Sequence, residues 1–269
     1  MARPVVLDCD TGTDDAVAIM LAARHPALSL LGVCSVFGNA GVEETTANAE
    51  RVLTALGRAD VPVERGSPVA GSASSAAVEW LVALLRRTTE PVTLVATGPL
   101  TNLAAALAAE PGLVEAVDEL VVMGGTFGVV AAGPVERNLG NDPAAAAAVL
   151  SAGFARVVLV PLDATYQALM GPREVAALRA LGPIGELAAG FVAERIEQYA
   201  SMPLDGRAPV HDPLTVAYLV DPAVVSLTAA RVEVAVDGRT TLGTGPVNAL
   251  VATSCDAARF RAFLLTTLG

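Results

Sequence analysis

The strongest constraint on this chain is an alternation. Short apolar runs, PVVLDC, LSLLGVCSVF, VTLVAT, ELVVMG, RVVLVPL, RVEVAV and NALVATS, are separated by longer Ala/Leu-rich segments of helical period. Candidate helices are DAVAIMLAARH, VEETTANAERVLTALG, TNLAAALAAE, PAAAAAVLSAG, the stretch 184–200 and DAARFRAFLLTTL. Strands that read as continuous apolar runs are buried on both faces, which demands helices above and below. The pattern predicts an α/β fold with an open, mainly parallel central sheet and helices on both faces. No linker or charge block interrupts the alternation, so residues 1–269 are expected to form one domain.

Ligands of such sheets bind beyond the carboxyl ends of the strands. Polar words fall there repeatedly: DCDTGTDD after the first run, GNAG after VCSVF, TGPLTN after VTLVA and GGTFG after ELVVM. Four separate segments therefore deliver polar atoms to one edge.

Composition removes several function classes. A formal net charge of −11 argues against a nucleic-acid partner, which needs clustered cations to displace counterions. All 17 basic residues are Arg, so a Schiff-base lysine and a Walker A loop are excluded. Cys9, Cys34 and Cys255 are widely spaced in apolar surroundings and read as reduced thiols. Neither a signal peptide nor a membrane-spanning run is visible, so a cytoplasmic protein without a membrane partner is expected.

DCDTGTDD crowds Asp8, Asp10, Asp14 and Asp15 together. Asp14 and Asp15 at a helix start complement its dipole, which explains two of the four. Like charges ~4 Å apart repel by about 4 kcal/mol at an effective dielectric of 20, so the rest need a cation or a shared proton. With only His25 and His211 and no paired cysteines, the ligand set suits a hard ion such as Ca²⁺ or Mg²⁺ rather than zinc. The same word also resembles the nucleophile turn of haloacid-dehalogenase-type phosphatases, but those use a Lys. Near residue 211, VHDPLTVAYL admits Asp212 as a helix cap with Pro213 as the first helical residue. His25, in ARHPAL, reads as a residue at a helix C-terminus.

Together the words resemble the nucleoside hydrolases, the inosine-uridine-preferring N-ribohydrolase family. They are DCDTGTDDA (8–16), FGN (37–39), TGPLTNLA (97–104), LVVMGG (120–125), VERNLGNDPAAA, LDAT (162–165) and VHDPLTVAYL (210–219). The resemblance implies a nucleoside-hydrolase-like sheet with a Rossmann-like core, and an enzyme that hydrolyses the N-glycosidic bond of ribonucleosides. It implies Ca²⁺ held by Asp10, Asp15, Asp212 and the main-chain oxygen of Thr97. It further implies ribose contacts from Asp14, Asn39, Glu136 and Asn138 with Met123 below the sugar, and a homodimer or homotetramer. Asp10 would activate the attacking water, His211 would give a proton to the leaving base, and Tyr199 would lie near that base.

Electrostatics agrees with such roles, because an oxocarbenium-like sugar is stabilised by carboxylates and by hydrogen bonds to its hydroxyls. Three departures stand out. The stretch ERGSPVAGSASSAAVEWLV lacks a His and looks shortened, GGTFGVVAAGPVERN has no Asn before Asn138, and Arg137 stands where the family usually has Phe. A binder that keeps the metal without turnover is the alternative expectation.

Overall fold

The computed structural model describes residues 2–129 and 133–269. In chain order the elements are β1 Arg3–Cys9, α1 Thr13–Arg24, β2 Leu28–Ser35, α2 Val42–Ala55, β3 Val63–Glu64, α3 Ala76–Arg87, β4 Val92–Ala96 and α4 Thr101–Ala109. There follow β5 Val117–Met123, α5 Arg137–Asn141, α6 Pro143–Leu150, β6 Val157–Val160, α7 Leu162–Thr165, β7 Leu169–Met170, α8 Pro172–Arg179 and α9 Pro183–Gln198. The chain closes with β8 Ala208–Pro209, α10 Pro213–Val220, β9 Val225–Val234, β10 Thr240–Gly243, β11 Ala249–Cys255 and α11 Ala257–Leu268.

Nine strands form one sheet in the order β10-β9-β11-β6-β5-β4-β1-β2-β3. From β3 to β11 every pairing is parallel; β9 and β10 are added antiparallel at one edge. The expected mainly parallel sheet is therefore present. Alternate side chains feed two cores, as period-2 strands require. Val5, Leu7 and Cys9 pack with α1, α2 and α8 to α11, while Val6, Leu94 and Val122 pack with α3, α4 and α6.

Strand β1 has β2 on one side and β4 on the other, so the winding reverses between β1 and β4. That reversal opens a crevice at their carboxyl ends, where Asp10 and Thr97 emerge. The segment before α10 is tied down by the small β7-β8 antiparallel pair. The shortened-looking stretch ends in helix: α3 starts from Ser75, whose hydroxyl accepts from the Val78 N–H at 3.2 Å. His25 ends α1 as its C-cap. All three cysteines are free, Cys9 and Cys34 buried. Among the described residues no helix is long and apolar enough to cross a membrane.

Candidate active site

A cavity of about 390 Å³ opens at the β1/β4 crevice. Its lining includes Asp10, Asp14, Asn39, Thr97, Met123, Glu136, Asn138, Tyr199, His211 and Asp212. Asp15 lies beneath it, fully buried. Thus residues from seven separate segments of the chain meet at this crevice.

At the floor, one carboxylate oxygen each from Asp14, Asp15 and Asp212 lie within 4.8 Å of one another. Asp15 accepts from Thr97 Oγ1 at 2.7 Å and from the Gly12 N–H at 3.0 Å. Asp212 precedes α10, but its side chain makes no capping bond. The bland reading of Asp212 as a helix cap is thereby set aside. Asp10 stands beside this trio rather than in it: Oδ2 accepts from the Asn39 N–H at 2.7 Å and Oδ1 from the Asn39 amide at 3.2 Å. The same amide reaches Asp15 Oδ2 at 3.2 Å.

Burial, then repulsion by Asp15, pushes Asp10 well above the carboxylate range. Asp15 rises to about 6 through burial and the neighbouring Asp14. Asp212 rises through burial and repulsion from Asp14, Asp15 and Asp10. Asp14 differs: burial pushes it up, but the Arg195 guanidinium at 3.1 Å and His211 bring it below its ordinary value. Buried oxygens that resist charge this strongly fit a hard divalent cation, whose charge would replace the missing solvation.

The wall toward β5 is held by hydrogen bonds. Asn138 donates from Nδ2 to the main-chain oxygens of Thr97 at 2.8 Å and Met123 at 3.1 Å. Glu136 caps α5, accepting from the N–H groups of Asn138 at 2.7 Å, Leu139 at 3.0 Å and Gly125 at 3.0 Å. Both therefore shape this wall of the cavity. Asp142 caps α6 through the Ala145 N–H, as expected from the Asp-Pro pair. Asp8 does not join the cluster. Its carboxyl is buried, without a hydrogen bond among the described residues, and burial raises its pKa to about 8.

At the other end His211 Nδ1 lies 2.7 Å from Thr165 Oγ1 and Nε2 lies 3.1 Å from the Tyr199 hydroxyl. Burial, with the Arg195 charge, pushes the imidazole down to about 3. His211, expected as the proton donor, is thus neutral near pH 7 with both ring nitrogens engaged.

The match to known proteins covers this whole arrangement. The family model described as inosine-uridine preferring nucleoside hydrolase matches residues 5–262. The chain belongs to that family. It is 36% identical to the pyrimidine-specific ribonucleoside hydrolase RihA of Shewanella woodyi, over 90% of this chain and 87% of that protein. The RihA of Klebsiella pneumoniae is 34% identical, over 90% of this chain and 88% of that protein. The solved purine-preferring ribonucleoside hydrolase from Gardnerella vaginalis superposes with a TM-score of 0.91 at 28% identity, covering 99% of this chain and 98% of that one.

This nucleoside hydrolase is accordingly an N-glycosyl hydrolase acting on ribonucleosides. Its cavity also holds residues that sequence reasoning passed over: Tyr166, Arg195 and Gln198. Arg195 lies four positions before Tyr199 near the end of α9, a spacing that places both on one helical face. Its guanidinium carbon sits 4.9 Å from the Tyr199 ring centroid. Of the three departures noted in the sequence, positions 130–132 of the GG loop lie outside the described residues.

Proposed function

We propose that this nucleoside hydrolase is Ca²⁺-dependent and releases free base and ribose, with pyrimidine ribonucleosides as its preferred substrates. The observation that carries the metal reading is the convergence of Asp14, Asp15 and Asp212 within 4.8 Å, all buried, with Arg195 as the ion-pair partner of Asp14. Asp15 and Asp212, joined by Asp10 and the Thr97 oxygen, would hold the ion. The pyrimidine preference is supported by relatives at 34–36% identity that are named pyrimidine-specific.

A bound divalent ion would supply positive charge that offsets the carboxylates and acidifies a neighbouring water. Asp10 is the base: it stands beside the acid trio, and Asn39 holds its carboxylate from two sides. Asp14, Glu136 and Asn138 would bind the sugar hydroxyls, and these contacts strengthen as the ring gains cationic character. Met123 would support the sugar from below. Tyr199, oriented by His211, would face the base. The buried thiols agree with a reducing compartment such as the cytoplasm.

Incubation with a nucleoside mixture, with and without Ca²⁺, tests this directly. Free uracil and cytosine should appear only with the ion. Tight ribose-analogue binding without any released base would instead mark a binder.

A further inference from the structure

Cleavage of an N-glycosidic bond leaves an electron pair on the departing base, and something must meet that charge. His211 is poorly placed to do so, since Thr165 and Tyr199 occupy its two ring nitrogens. Arg195 is placed well. It lines the same cavity as Tyr166, Gln198 and Tyr199, and stands against the Tyr199 ring. Its side chain is only 13% exposed and is fixed on three sides. Nε donates to the Pro209 oxygen at 3.3 Å, Nη2 lies 3.1 Å from Asp14 Oδ2, and the Tyr199 ring lies against its face. A guanidinium carries five N–H donors. Nε is used by Pro209 and Nη2 faces Asp14, while Nη1 makes no hydrogen bond among the described residues and has its donors for a ligand.

We infer that Arg195 receives the leaving base, its free N–H groups donating to the O2 oxygen of a pyrimidine. The C1′–N1 bond breaks and its electron pair passes to N1, delocalised onto O2 beside the guanidinium. The water oxygen bonds to C1′ and its proton goes to Asp10. The pyrimidine anion takes its proton from solvent after release. Arg195 keeps all its protons, because its pKa lies far above neutrality. A fixed cation in a site shielded from water is worth much more than in solution and needs no reorganisation during the reaction.

The inference rests on the ribonucleoside-hydrolase reading of the cavity, and its test separates the two. Wild type, Arg195→Gln and Arg195→Lys are assayed on uridine and on p-nitrophenyl riboside, whose nitrophenolate departs without assistance. Arg195→Gln should lower kcat/KM on uridine about 100-fold and on the activated riboside by less than about 5-fold. Added guanidinium chloride should restore part of the uridine rate only. Should the Gln variant fail to fold in thermal denaturation, Arg195→Lys carries the same comparison. Equal losses on both substrates, without rescue, would reduce Arg195 to a structural partner of Asp14 and overturn the inference. A wild type inactive on both substrates overturns the hydrolase reading and this inference with it.

Discussion

The main-chain N–H of His211 donates to Asp14 Oδ2 at 3.1 Å, although the two residues are 197 positions apart in the chain. The same oxygen lies 3.1 Å from Arg195 Nη2. The start of α1, the end of α9 and the turn before α10 are thereby locked around one carboxylate. The proposed sugar and cation subsites both depend on that frame, and several measurable consequences come from it.

Gly38 approaches Asp10 so closely that a Cβ there would stand 1.9 Å from Oδ2. Gly38→Ala should push the carboxylate aside while leaving the sheet intact. A displacement of that size costs about 100-fold in kcat/KM. Uridine hydrolysis and thermal unfolding, measured together, check it; unchanged turnover would remove Asp10 from the role of base.

Chelation should abolish turnover and lower Tm, because the buried carboxylates lose their counter-charge. At free Ca²⁺ of about 100 times Kd the folded state gains about 2.7 kcal/mol. For a chain of this size that corresponds to a rise of about 5–10 °C in Tm. Differential scanning calorimetry with chelator and with Ca²⁺ reads the shift, which Asp15→Asn and Asp212→Asn should each erase.

His211, held down at about 3, carries no charge change between about pH 5 and 8. The pH profile of kcat/KM on uridine should therefore show no alkaline limb near the ordinary histidine value. An alkaline limb at that position, absent from His211→Asn, would establish an imidazolium acid.

At the opposite end of the sheet Glu119 binds Arg3 and Arg156, each at 2.6 Å, and accepts from the Tyr218 hydroxyl at 2.7 Å. Although burial raises its pKa, bonds from Tyr218, Arg156 and Arg3 leave it below the ordinary 4.5. A depressed carboxyl stabilises the fold fully above its unfolded value and loses that contribution as pH falls through the folded one. Glu119→Gln should cost about 1–3 kcal/mol at pH 7. The gap between variant and wild type in urea unfolding should narrow as the pH falls below the ordinary glutamate value of 4.5.

Much of this was legible from residues alone, for reasons visible in particular elements. β1, β4, β5 and β6 are buried on both faces, so they read as unbroken apolar runs. β9 reads less clearly because it lies antiparallel near the edge with several exposed positions. α3 was hidden by the Ser- and Gly-rich words before it. Arg195 was passed over, since nothing local tells a guanidinium that it will meet Asp14.

The sequence by itself determined the layered α/β architecture and the polar edge, because hydrophobic periodicity and strand-end placement are local properties, while the individual residues at that edge were named through the family resemblance. Only the tertiary structure decided how the acids divide: Asp14, Asp15 and Asp212 together, Asp10 held by Asn39, Asp8 buried apart. It also decided that His211 is neutral and that Arg195 supplies the cavity's paired cation. Charge states depend on burial and on partners distant in the chain, and the fold alone brings those within hydrogen-bonding distance.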